Sequence, residues 1–271
     1  MQKIFDFNVY NPLENVYHIQ DTTETCGTLI VGENQALLVD TCTGCGDLKS
    51  VVEALTDNPY MVVNTHAHLD HIGGNYQFDK VYMNGKEAAV GARYLDELDI
   101  RPAVLNQFDK MGFRMKEERK KEYLAYHMEN ADTLDMEEEI DLGGIHVQPV
   151  PMYSHSPGMT GFYVKERGLL LGGDSVCILT CLYFDESSSV EEHLKVLEEV
   201  SQIDFSYILT SHSKELLDRN DFNAMIECAK TYNEAKTFRY ADQFYPQLQG
   251  RMYMYESSIG KHAIVVEKRK V

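Results

Sequence analysis

The period of hydrophobic and polar positions changes several times along the chain. Short apolar, β-branched runs bounded by polar or glycine-containing turns predict strands at residues 16–19, 28–32 and 36–40, followed by a helix at about 47–55. The run YMVVN at 60–64 predicts a buried strand, and KVYMN at 80–84 a short one. Between 86 and 135 the alternation disappears and the pattern turns helical, with MKEERKKE at 115–122 read as a solvated helix face. Strands return over 138–152 around a Gly143-Gly144 turn, and 160–164 with 169–171 form a hairpin about Glu166-Arg167-Gly168. Val190, Leu194, Leu197 and Val200 repeat at helical spacing within 188–200. A further helix is expected at 218–235, opening on a capping Asn220 or Asp221, and 252–267 reads as two strands about a Ser-Ser-Ile-Gly turn. No linker, repeat or low-complexity segment divides this pattern, so residues 1–271 are expected to form one domain. Residues 86–135 are then a helical insert, placed to fold over a site as a lid. Its aromatic residues, Tyr94, Phe108, Phe113, Tyr123 and Tyr126, either line an apolar substrate pocket or pack the insert on itself.

Directly after the YMVVN strand comes NTHAHLDHIGG, with His66, His68, Asp70 and His71 inside six residues. In extended chain His66 and His68 point to the same side, so one ion can be held by both. Asp70 and His71 follow where the backbone turns, and Gly73 and Gly74 permit close approach to neighbouring chain. Four ligands packed this tightly exceed what one strand face can aim at one ion, which points to two adjacent divalent ions. Imidazole and carboxylate favour zinc, with manganese or iron left open.

Further ligands must come from elsewhere. His155 follows the strand-like run HVQPVPM and precedes a Ser-Pro-Gly turn, and His212 follows the apolar run 207–209. Both are candidate ligands, the alternative for His155 being a hydrogen-bonded loop histidine. Asp174 ends GLLLGGDS. A carboxylate can bridge two cations where neutral imidazole cannot, so Asp174 is assigned as the bridge, against the alternative of a helix N-cap. His18, His127, His146, His193 and His262 lack such a setting and read as structural or exposed, and Tyr153 and Tyr183 are weaker candidates for contact with a substrate oxyanion.

The succession HAHLDH, HSPG, GGDS and TSHS resembles the metallo-β-lactamase superfamily of dinuclear metal hydrolases, over about residues 27–212. That resemblance implies an α/β fold, a four-layer αββα sandwich of two mixed sheets, here with the helical insert between the second and third motifs. It implies one ion on His66, His68 and His155, a second on Asp70, His71 and His212, and Asp174 between them. It also places Asp40, at the end of ALLVDT, as a support of the metal-binding loop through hydrogen bonds.

Two cations about 3.5 to 4 Å apart hold a water between them and lower its pKa to around 7, which supplies a nucleophile at neutral pH. The same ions stabilise charge developing on a substrate oxygen. Asp70 is the candidate catalytic residue, placed to orient that nucleophile or relay its proton. The expected activity is hydrolysis of an ester, thioester or lactone-type bond in a small molecule. The alternative is hydrolysis of a phosphodiester or phosphate ester, and a non-catalytic metal-binding module is a third reading. A flavin-dependent di-iron branch is disfavoured, because its motif carries glutamate where this chain has His68 and no second domain is evident.

A net charge of -18 argues against nucleic acid or an anionic membrane surface as partner, since phosphate binding needs clustered Lys and Arg. MQKIFDFNVY lacks the apolar run of a secretory signal, and no stretch approaches a membrane span, so a cytoplasmic location is expected. Six cysteines then read as thiols. Cys42 and Cys45 form CTGC after Asp40, either small residues of a tight loop or a redox-active or metal-binding pair, and Cys177 and Cys181 are candidates for the pocket edge. A homo-oligomer is left open.

Overall fold

The structure, a computed structural model, describes residues 1–241 and 249–267. The chain divides into two compact units, Met1–Val147 with His212–Lys214, and Gln148–Ser211 with Glu215–Val271.

In the first unit eight strands lie side by side in chain order: β1 (Gln2–Ile4), β2 (Phe7–Leu13), β3 (Val16–Gln20), β4 (Cys26–Val31), β5 (Ala36–Val39), β6 (Tyr60–Val63), β7 (Val81–Met83) and β8 (Ala131–Thr133). Pairing is antiparallel from β1 to β5 and parallel from β5 to β8. The change of sense requires a crossover, supplied between β5 and β6 by α1 (Leu48–Leu55). Asp47 caps α1 by accepting from Ser50 N, and Leu48, Val51 and Val52 are buried with Phe7, Ile19, Leu29, Leu38 and Val62. Each such side chain removed from water contributes roughly 1.5–3 kcal/mol.

Three strands here escape the periodicity. β1 has only three residues, and β2 buries just Phe7 and Val9 before a register shift between Tyr10 and Leu13, at Asn11-Pro12. β8, inside the segment read as wholly helical, is three residues long, too short to alternate, and is held by its parallel pairing with β7. One helical turn, α2 (Leu69–Ile72), follows β6, and the insert then supplies α3 (Ala88–Ala92), α4 (Arg101–Lys110) and α5 (Glu117–Ala125). Arg101 is its hub, 2% exposed, donating from Nη1 to the carbonyls of Tyr123 and Tyr126 and from Nη2 to that of Leu95. Tyr94, Phe108, Tyr123 and Tyr126 are buried; Phe108 meets Phe113 inside the insert, whereas Tyr123 stands edge-on to Tyr76 outside it.

Beyond the first sheet, β9 (Ile140–Asp141) and β10 (His146–Pro151) pair around Gly143 and Gly144, both with positive φ. β11 (Thr160–Val164) and β12 (Leu169–Gly173) form the expected hairpin, turning at Gly168. β13 (Leu179–Leu182), β14 (Tyr207–Thr210), β15 (Ser213–Asp218), β16 (Phe238–Ala241), β17 (Gln249–Ser257) and β18 (Gly260–Glu267) complete the set. These strands form two ladders, β15-β14-β12-β11-β10-β9 and β13-β18-β17-β16, which with the first sheet make three hydrogen-bonded ladders among the described residues. The division arises because β13 pairs in parallel with β18.

In the second unit α6 (Val190–Val200) and α7 (Arg219–Lys230) bury Leu197, Val200, Phe222 and Met225 in a core with Leu170, Ile208 and Ile264. Both helices open on a capping box, Ser189 with Glu192 and Asp218 with Asp221. The cap of α7 is therefore Asp218, and Asp221 is its reciprocal partner. α7 also stops at Lys230, short of the expected 235, and 234–236 form a separate turn. Among the described residues no helix is long and apolar enough to cross a membrane.

His262, on β18, is buried, with Nε2 3.8 Å from Asp221 Oδ1. Burial pushes its pKa down, and Asp221 offsets part of that shift. The folded chain thus holds His262 neutral, while the unfolded chain takes up a proton as pH falls through about 6.5. Stability from this residue is present above that pH and is lost below it. His262→Leu is expected to flatten part of the decline in urea midpoint between pH 7 and pH 5, and an unchanged decline would refute this account.

Candidate metal centre

Because β5 and β6 run in parallel with Val39 opposite Val63, they end at the same level, and Asp40 N donates to Val63 O at 2.9 Å. Asp40 then turns the chain with φ of 64°, in the left-handed region. Its buried carboxylate accepts from Thr65 N at 2.7 Å, from Thr65 Oγ1 at 2.8 Å and from His71 Nδ1 at 2.9 Å. With Nδ1 carrying the hydrogen, His71 keeps its lone pair on Nε2, the arrangement that makes an imidazole a metal ligand.

α2 is a single turn, and His68 stands at its N-cap position with Asp70 and His71 inside it. His66 and His68 come together as their alternation predicts, with His66 Nε2 3.0 Å from His68 Nδ1 and rings edge-on at 4.6 Å. The carbonyl of His71 accepts from Thr41 N, Thr41 Oγ1 and Asn64 Nδ2. The two glycines of the motif serve this packing: a Cβ on Gly73 would lie 2.3 Å from Thr43 O, and one on Gly74 2.3 Å from Thr41 O.

His212 belongs to the same unit, and Asp70 Oδ2 lies 3.6 Å from His71 Nε2 and 3.5 Å from His212 Nε2. One donor atom from each of Asp70, His71 and His212 falls within 4.8 Å of the others. A tetrahedral ion at about 2.1 Å from each donor separates its donors by about 3.4 Å, so this donor set fits a divalent metal in spacing and chemistry. His18 positions this segment, with Nδ1 2.9 Å from Thr28 Oγ1 and Nε2 3.0 Å from Ser213 O, next to His212. The sequence gives no sign of that role, because the contact joins residues 195 positions apart.

In the second unit His155 and Asp174 stand together, Nε2 to Oδ2 3.7 Å, both buried. His155 Nδ1 is 2.7 Å from the Cys181 carbonyl, which can only accept, so Nε2 is again the lone-pair nitrogen. Ser187 Oγ donates to His155 O and Ser175 Oγ accepts from His155 N, fixing the backbone on both sides. Asp174 caps no helix and follows Gly173, whose φ is 52°. All seven candidate ligands thus lie in one of two groups, Asp70, His66, His68, His71 and His212 in the first unit and His155 with Asp174 in the second.

The metallo-beta-lactamase superfamily model matches residues 27–212. The chain belongs to that superfamily. It is 28% identical over 163 residues to the protein named acyl-coenzyme A thioesterase MBLAC2 of Bos taurus, and equally to that of Homo sapiens, a match covering 55% of this chain and 57% of each relative. The matched stretch therefore spans little more than half the length of these relatives. Among solved structures, a metallo-beta-lactamase from Pontibacter korlensis superposes with a TM-score of 0.59 at 14% identity, covering 83% of this chain and all (100%) of that one. An archaeal superfamily protein from Sulfolobus tokodaii gives 0.58 at 18% identity, covering 82% and 89%. The α/β fold is the metallo-β-lactamase fold.

Of the cysteines near the motifs, Cys42, Cys45 and Cys177 are buried. Cys42 Sγ points at the carbonyls of Ile19 and Thr25, and burial pushes the thiols of Cys26, Cys42, Cys45 and Cys177 well up, with that of Cys228 pushed up to about 12. All six are free thiols and only Cys181 is not buried. Iodoacetamide at pH 8 is expected to alkylate Cys181 on the order of tenfold faster than any other, as read by peptide mass mapping. Early labelling of Cys42 or Cys45 would restore the reactive reading of CTGC.

Proposed function

We propose that this protein is a hydrolase that holds two divalent ions, zinc being favoured, and opens the thioester bond of a small molecule. On the order of the motifs, His66, His68 and His155 would hold one ion and Asp70, His71 and His212 the other, with Asp174 shared by the two. The observation that carries it is the Asp70, His71 and His212 donor set at tetrahedral spacing, with the His71 tautomer fixed by Asp40. Bound there, divalent ions supply an activated water at neutral pH and polarise the scissile carbonyl.

The chain's own residues do the rest. Asp40 and the Cys181 carbonyl hold His71 and His155 with Nε2 available, so neither ring must reorient on binding. Asp70 combines ligation with access, its side chain 34% exposed, and is the group placed to orient the attacking water and take its proton. His212, at 42%, is the other solvent-facing ligand, so substrate approaches past this pair. The thioester is preferred within the ester, thioester and lactone class because the bovine and human relatives are named as acyl-coenzyme A thioesterases. Six free cysteines favour a reducing compartment such as the cytoplasm.

The test is metal quantification followed by a panel of thioesters, lactones, β-lactams and phosphodiesters. Stoichiometric metal with fastest turnover on thioesters is expected, and absence of metal, or metal without turnover on any substrate, overturns the hydrolase. Asp70→Ala is expected to lose one of the two ions and at least about 100-fold in turnover. Full metal content together with full activity in that variant would remove Asp70 from the site.

A further inference from the structure

From Glu87 to Tyr94 the chain is helical without a break, passing from the turn Gly85–Glu87 through α3 into the wider π-type turn Arg93–Glu97. Glu87, Gly91 and Tyr94, spaced by four and then three, share one stripe of this segment. All three meet the turn that carries His66 and His68. Glu87, fully buried at 0% exposure, accepts from Ala67 N at 2.8 Å through Oε2. A Cβ on Gly91 would lie 3.4 Å from the Ala67 Cβ, so the helix backbone runs close against that residue. Tyr94 stands edge-on to the ring of His68, centroids 4.9 Å apart at 77°.

Ala67 is the residue between the two histidines, so the orientation of its peptide decides whether both imidazoles aim the same way. A carboxylate is costly to bury, which makes its placement against this amide a specific demand of the fold. We propose that Glu87 is a positioning residue for the metal site: by accepting the Ala67 N–H it locks the turn that aims His66 and His68, and Tyr94 braces the His68 ring. The inference rests on the two-ion reading above. It makes the start of the insert a buttress of the ligand turn, whatever its outer helices do.

The test uses the full chain stripped of metal and titrated with Zn²⁺ alone against a chromophoric chelator, with urea unfolding of each stripped variant alongside. Glu87→Ala is expected to weaken Zn²⁺ binding by about 10- to 100-fold, the range typical of groups that orient metal ligands. Glu87→Gln keeps an acceptor oxygen in a neutral bond roughly half as strong, and is expected to stay within about tenfold of wild type. A purely structural role would instead lower the unfolding midpoint and leave the affinity of the folded protein unchanged, which overturns the proposal. Glu87→Gln as weak as Glu87→Ala also overturns it, because the charge and not the hydrogen bond would then matter. Should Glu87→Ala lose cooperative unfolding, Tyr94→Leu carries the test: weaker Zn²⁺ binding supports the brace and unchanged binding refutes it. If wild type itself binds no Zn²⁺, the two-ion reading falls and the brace with it, whereas equal binding by wild type and variant removes the brace alone.

Discussion

The Asp40 carboxylate is the interaction on which the candidate metal-binding half of the first unit depends. It lies where two parallel strands end in register, and it serves three donors from two later parts of the chain, Thr65 N, Thr65 Oγ1 and His71 Nδ1. Thr65 passes the constraint on, its hydroxyl 3.0 Å from His66 Nδ1. One carboxylate therefore orients both ends of HAHLDH. The position is held in the left-handed region, at a cost of about 1 kcal/mol or more for a residue with a β-carbon. Such a conformation persists only where its surroundings over-determine it, which the three bonds do.

Around this anchor, backbone is held by polar side chains that have no route to water. Thr41 and Asn64 donate to the His71 carbonyl and each bonds to Asn75, and all three are buried. Each bond is worth only about 1 kcal/mol net, yet a donor left without its acceptor here costs the full desolvation of a buried polar group. The asymmetry keeps the motif in one geometry. It also explains the short distance between Thr41 and Gly74, since the loop must close tightly before His71 can be gripped from both sides.

Much of this was legible in the sequence because it rests on local pattern. The apolar run before the motif, the alternation of His66 and His68, and the strand-end settings of His155, Asp174 and His212 each reflect a few adjacent residues. The central strands and the helices α1, α6 and α7 were legible for the same reason. β1, β8 and β15 were not, because three residues or an exposed, polar edge give no period to detect. Long-range supports were hidden altogether. His18 reads as an ordinary histidine until Ser213 is brought to it, and nothing in the local pattern singles out Arg101, around which four parts of the insert close.

Exposure within the first unit separates the buried candidate ligands from the open ones. His66 and His71 are 0% exposed and His68 is 3%, whereas Asp70 and His212 keep a third or more of their side chains open. The buried histidines are clamped by Thr65, Asp40 and Tyr94 and have no freedom to adapt to a substrate. Segments that vary must then leave those clamps in place. The insert meets this condition in a particular way. Its first helical stretch is committed to Ala67 and His68, while α4 and α5 are held by Arg101 through backbone carbonyls, contacts indifferent to side-chain identity. Substitutions on α4 and α5 that spare Arg101 therefore leave these carbonyl contacts in place, and with them the stretch that meets Ala67 and His68, so the outer helices can vary while the turn of the motif keeps its geometry.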